Sequence, residues 1–226
     1  MMRSIVLGVA LAGAALPAVA ETRALTGFDT VNASGNYRVE VAVGERFSVE
    51  VTGSDAARIR TVVDGDTLKI EPARRAWFGN PRYDALVRVT APQLAGVAAS
   101  RGMSMTAAGG GACPSFDAVA AMGAELSVTD LQCGAVDAVA AMGAALTLAG
   151  SCEALDVSAA MGATVRARNL HCENADLSAA MGADVAAYAT ARYEASASMG
   201  GDISVAGGAQ SDGNTAAMGG SIRQLN

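Results

Sequence analysis

From Leu155 to Ala167 apolar and polar or small side chains alternate without a break. Leu155, Val157, Ala159, Met161, Ala163, Val165 and Ala167 fall on one parity, and Asp156, Ser158, Ala160, Gly162, Thr164 and Arg166 on the other. A period of two sends successive side chains to opposite faces of an extended chain, so the segment predicts a strand with one buried face. The same parity runs through Phe116, Ala118, Ala120, Met122, Ala124, Leu126 and Val128. Helix competes as a reading of Ala-rich text, but a Gly in every copy and the β-branched positions favour strand. Parity places the methionines inside the fold, which makes Met161→Asp a substitution expected to unfold the neighbouring coils.

These strands belong to a repeat. Ala-Met-Gly or Ser-Met-Gly recurs at Met122, Met142, Met161, Met181, Met199 and Met218, 18 to 20 residues apart. Cys113, Cys133, Cys152 and Cys172 each stand nine residues before a Met, and Asp117, Asp137, Asp156, Asp176 and Glu194 each stand five before one. Three columns in one register are the signature of stacked coils. Coils this short hold no strand-plus-helix unit, and their variable length departs from the multiples of six of a left-handed hexapeptide solenoid. The expected fold is all-β: a right-handed parallel β-helix (β-solenoid) of 18 to 20 residues per coil, preceded by N-terminal β-strands. Its narrow interior accounts for the abundant Ala, with the six methionines as a core ladder. The copies decay at both ends, with Arg101-Gly102 in place of Met-Gly and with Asp212 and Asn214 at positions that are apolar in the middle copies. Polar end coils discourage edge-to-edge aggregation of such a stack.

Before the repeats, alternation marks strands at Tyr37 to Val43, Phe47 to Val51, Leu68 to Ile70 and Ala85 to Thr90. Asp64-Gly65-Asp66 predicts a tight hairpin with a primed turn. Pro72 to Tyr83, which holds the only Trp, Trp77, reads as a surface loop. The organisation is then a signal peptide over 1–20, an N-terminal β-strand region over 21–96 leading into the solenoid, and the repeat β-solenoid over 97–226. The signal rests on Arg3, the apolar run from Ile5 to Leu16 and the small-residue site Ala18-Val19-Ala20. No later run reaches the roughly 20 apolar residues of a membrane helix, so a periplasmic, secreted or cell-surface location is expected.

Charge narrows the partners. Without Arg3 the chain carries 15 basic and 22 acidic side chains, net −7, and Lys69 is its one lysine. Such a surface repels phosphate backbones, which argues against nucleic acid. Stacked coils bring successive cysteines within disulfide reach, so Cys113 can pair with Cys133 and Cys152 with Cys172, each bridge contributing about 3 kcal/mol. A ladder of buried free thiols is the alternative, because Thr190 and Ala209 continue the column without sulfur. Cys, Met and His171 together raise a soft-metal site. A column lines ligands up where zinc needs four converging, so no metal site is expected. The acidic column reads as a solvated face, and no Ser/His/Asp grouping, phosphate loop or other catalytic or cofactor-binding set is present. Val119, Val139, Ser158, Ser178, Ser196 and Thr215, beside Ala121, Ala141, Ala160, Ala180, Ser198 and Ala217, form a smooth outer face suited to a second flat surface.

The order of Gly27-Phe28-Asp29, Asn32-Ala33-Ser34-Gly35, Gly65-Asp66-Thr67-Leu68-Lys69-Ile70, Val87-Arg88-Val89-Thr90-Ala91-Pro92-Gln93-Leu94 and serial small-Gly-small repeats resembles a bacterial family. It is the domain of unknown function described as an auto-transporter adhesin, head GIN domain, and the likeness runs from about residue 27 to the C-terminus. Its members commonly carry Ser-Gly where this chain has Met-Gly, and the Cys column is not part of their pattern. The resemblance implies an exported β-helical protein with an adhesive role and no catalytic residues. The expected function is a non-enzymatic interaction module of the envelope, with an unknown protein or glycan ligand and no cofactor. Homo-oligomerisation through the flat small-residue face is a further expectation. The alternatives are a polysaccharide-binding or polysaccharide-active β-helix protein and a self-associating structural protein of the envelope.

Overall fold

A computed structural model describes residues 21–74, 79–109 and 111–225. The expected signal peptide therefore lies outside the described residues, as does Trp77 within its expected loop. The N-terminal part comprises strands β1 (Glu21–Arg23), β2 (Thr30–Ser34), β3 (Asn36–Val43), β4 (Ser48–Thr52), β5 (Ile59–Asp64), β6 (Thr67–Pro72) and β7 (Arg82–Ala91), with one 3₁₀ turn at Ala56–Arg58. Next come β8 (Gly96–Ser100), β9 (Ser104–Ala108), β10 (Ala112–Ala121), β11 (Glu125–Ala141), β12 (Ala145–Ala160), β13 (Thr164–Ala180) and β14 (Asp184–Ser198). The last are β15 (Asp202–Ala206), β16 (Gln210–Ala217) and β17 (Ser221–Gln224). All 17 belong to one hydrogen-bonded sheet.

The expected parallel β-solenoid is present. β10 pairs in parallel with β11, β11 with β12, β12 with β13 and β13 with β14, and the acidic residue of each rung faces the acidic residue of the next. Stacking in register turns sequence columns into spatial ones. Leu126, Leu146, Val165, Val185, Ile203 and Ile222 form an inward aliphatic column. Ala120, Ala140, Ala159, Ala179 and Ala197 form a second, buried column of methyl groups. The variable coil length is absorbed on one arc. Register shifts fall between Val128 and Leu131, Thr147 and Ala149, Ala167 and His171, and Cys172 and Asn174, leaving the stretch from the acidic residue to the methionine unbroken.

The N-terminal strands are rungs of the same stack, but out of chain order. β2 lies in parallel between β6 and β8, and β3 between β7 and β9. The aliphatic column consequently continues from Leu126 through Met105 and Val39 to Val87. Beyond that rung the sheet becomes antiparallel: β5 pairs with β6, β4 with β7, and β1 with β4. Antiparallel strands there cover the ladder edge that a parallel stack exposes. The expected hairpin joins β5 to β6, with Gly65 at φ 63° and Asp66 outside the positive-φ region, the φ pattern of a type II′ turn.

One expectation is overturned. The six methionines of the repeat are not a core ladder: Met122, Met142, Met161, Met181 and Met199 are 46–49% exposed and Met218 81%. Each has φ of 49–56° and each following Gly φ of 70–80°. The amide of Ala124 donates to the carbonyl of Ala121 across the turn (3.2 Å), and the same bond closes every other copy. Two consecutive positive φ values make a type I′ turn that rounds a corner of the coil and holds its first side chain outside. Because the turn spans two residues, alternation resumes beyond it in phase, and the parity reads straight through. Among the described residues the inward methionines are Met103 and Met105, each 1% exposed.

Holding a side-chain-bearing residue in this left-handed region costs about 1–2 kcal/mol per residue. Hydrogen bonds between rungs offset it, the amide of Gly123 donating to Met142 O, Gly143 to Met161 O and Gly162 to Met181 O, all at 3.0 Å. Arg101-Gly102, with φ of 65° and 73°, forms the next corner of the series.

Exposed corners and close-packed arcs predict opposite responses to substitution. Gly150, at φ 137°, would place a Cβ 2.2 Å from Leu131 O. Gly150→Ala is therefore expected to destabilise by about 1–3 kcal/mol or more. Met161→Asp is expected to stay within about 0.5 kcal/mol of wild type. Thermal melts followed by circular dichroism check both.

Candidate functional site

Each rung from β10 to β14 turns the same short outward sequence to solvent: an acidic residue, then a Val or Ser, then a small residue, then the corner methionine. The acidic side chains Asp117, Asp137, Asp156, Asp176 and Glu194 stack in direct register and are exposed. The column ends at Gly96 on one side and Gly213 on the other. Beside it run Val119, Val139, Ser158, Ser178, Ser196 and Thr215, then Ala121, Ala141, Ala160, Ala180, Ser198 and Ala217, both in register. The smooth face expected from sequence is thus a continuous surface, bounded by carboxylates along one margin and thioethers along the other. Sequence reasoning missed the second margin, although the Gly after each Met was the signal for it.

Carboxylates one rung apart repel by roughly 0.8 kcal/mol per pair in water. Partial burial, and then the charges of Asp176 and Asp137 on either side, push the Asp156 carboxyl above its ordinary value of 3.8. A shallow depression runs along the column past Asp137, Asp156, Asp176 and Glu194 to Arg192 and Asp212, which pair at 3.7 Å.

The cysteine column resolves into two disulfides, Cys113 with Cys133 and Cys152 with Cys172, each with Cα atoms 4.5 Å apart. They tie β10 to β11 and β12 to β13. The column continues at Ala189, which faces Cys172, and not at Thr190, whose hydroxyl instead donates to Cys172 O at 3.3 Å. A bulge after Cys172 shifts the register by that one residue. Against the first disulfide lies a cavity of about 260 Å³ whose walls include Asp29, Leu94, Phe116 and Leu131. His171 stacks on Tyr188, ring centroids 4.4 Å apart. Among the described residues no group of three His, Cys, Asp or Glu converges as a metal site, and no helix is long and apolar enough to cross a membrane.

A parallel solenoid with stacked outward columns and an antiparallel end cap defines a β-solenoid domain. The chain belongs to the family described as "Putative auto-transporter adhesin, head GIN domain", whose model matches residues 27–209. No curated protein matches it. Among solved structures it is similar to a putative adhesin from Bacteroides fragilis, with a TM-score of 0.80 and 15% identity over 92% of this chain and 96% of that one. It is also similar to a putative lipid binding protein from Parabacteroides distasonis (TM-score 0.68, 17% identity, 92% and 97% covered). A putative adhesin from Parabacteroides merdae is a further match (TM-score 0.65, 12% identity, 92% and 96% covered). At these identities the likeness establishes the shared fold.

The raised Asp156 value means that the folded state binds this proton more tightly than the unfolded chain does. Its contribution to stability is complete below 3.8 and lost as pH rises through the folded value. Asp156→Asn is therefore expected to raise the melting temperature at neutral pH, by less at high salt, with the gain vanishing as pH falls to 3.8. Free-thiol counting on the denatured, unreduced protein is expected to return zero.

Proposed function

We propose that this chain is an exported, non-enzymatic interaction module of the bacterial envelope that acts through the flat face between the acidic column and the methionine corner. The observation carrying this reading is continuity: three outward columns lie side by side over successive rungs, with a shallow depression along the acidic margin. Membership of the adhesin family agrees with it. Export is supported by the N-terminal segment with signal-peptide character and by two disulfides, which persist in oxidising compartments. A flat sheet of small side chains accepts an extended protein or glycan chain laid across its rungs.

Dimensions favour weak, repeated contacts. Five residues along a strand by six rungs make a patch of about 16 Å by 24 Å, on the order of 400 Å². A stable protein pair buries about 800 Å² per partner, so this face alone does not sustain a tight homodimer. Adhesion by many copies at one surface fits an area of this size, because linked weak contacts multiply.

Binding of the fluorescently labelled chain to isolated bacterial envelope fractions tests the proposal. Ser158→Arg with Ser178→Arg is expected to lower binding at least tenfold while the melting temperature holds. Undiminished binding by this double variant would overturn the assignment of the face. Sedimentation as a dimer at micromolar concentration would favour the self-associating alternative.

A further inference from the structure

The corner methionines are explained neither by burial nor by turn chemistry. The first position of a type I′ turn is best filled by Asn, Asp or Gly, which enter positive φ readily, whereas a long side chain is disfavoured there. The structure nevertheless holds methionine at this position on six successive rungs, at φ of 49–56°. Five of the six are about half exposed and Met218 more so, so none of them fills the core. A strained residue repeated at one place outside the core points to what its side chain can bind.

Stacking sets the geometry. The turns are hydrogen-bonded rung to rung from Gly123–Met142 to Gly182–Met199 at 3.0–3.1 Å, so the methionines follow one another at the spacing of adjacent strands. That spacing is 4.5 Å between the Cα atoms of the paired cysteines on the same coils. Methionine is unbranched with three rotatable bonds, which lets thioethers on neighbouring rungs turn towards one ion between them. A thioether is soft and uncharged and carries no proton to lose, so it selects Cu(I) or Ag(I) over the hard cations that carboxylates prefer, and over a wide pH range. Zinc needs ligands converging from four directions, but these monovalent ions accept two or three, an arrangement that a ridge supplies. Both cysteine pairs are oxidised and no free cysteine occurs among the described residues, which leaves the thioethers as the soft donors. The acidic column on the same face, in a chain of net charge −6, draws cations towards the ridge.

We propose that the methionine corner is a soft-metal site that takes monovalent Cu(I) or Ag(I) between successive thioethers from Met122 to Met199. This goes beyond the interaction module above and does not depend on it.

The test uses the purified chain with its disulfides intact, labelled with ¹³C at the methionine ε-methyl groups and titrated with silver nitrate in chloride-free buffer. The methyl signals of Met142, Met161 and Met181 are expected to shift at one to two equivalents of Ag(I), while those of buried Met103 and Met105 stay in place. Replacing the three together by Leu (M142L, M161L, M181L) keeps their volume and apolar character and is expected to weaken Ag(I) binding at least tenfold. His171→Gln is expected to leave it unchanged. Stationary ridge signals in the wild-type chain, wild-type affinity in the triple variant, or binding that disappears with His171 would each overturn the site. Should the triple variant fail to fold, the wild-type methyl shifts decide the matter alone.

Discussion

Register between rungs is the constraint on which the rest of this molecule depends. The outward or inward direction of each side chain from the acidic residue to the corner is copied onto the next coil, because β10 to β14 pair in unbroken register from Asp117 to Ala121 and its counterparts. A slip of one residue would turn the aliphatic column to solvent and the carboxylates inward. Charge repulsion along the acidic column is therefore a cost that the hydrophobic column opposite has to outweigh on each rung. The fold tolerates it because the carboxylates remain largely exposed to water, where the repulsion is small. The disulfides reinforce the arrangement by fixing the vertical alignment of two pairs of rungs on the arc where the register is least regular.

Much of this architecture was legible in the chain. Asp137, Asp156 and Asp176 keep a constant distance from the following methionine, and the structure keeps that stretch free of bulges. The alternation of Phe116, Ala118 and Ala120 with exposed residues follows directly from strand geometry. The failure at Met122 has an equally direct cause. A corner of two residues consumes one full period of the alternation, so a parity count has no means of registering that the chain turned there. Only the glycine at the second corner position carried the information. Thr190 was misplaced for a related reason: a fixed offset from Met199 cannot sense a bulge on the intervening arc, and the register passes to Ala189.

The order of the N-terminal rungs could not be read at all. β2, β3, β6 and β7 have ordinary half-buried strand patterns, and pattern alone says which face is buried without saying which strand lies alongside. Pairing across about 40 to 70 residues is decided by the whole stack. Val39 shows the point: its neighbours in the column, Val87 and Met105, come from segments far downstream of it.

That interleaving governs how the molecule can be assembled. A solenoid whose coils follow chain order can grow by simple addition, each new turn settling on the one before. Here the earliest coil, β2 with β3, is clamped between two that are synthesised later, and its second partner is complete only at Ala108. Roughly the first half of the polypeptide must therefore emerge before a seed with a filled interior exists, while the remaining turns can then be laid down one upon another. A chain crossing a membrane N-terminus first would stay unfolded through that initial stretch, which is the state that a narrow translocation channel requires.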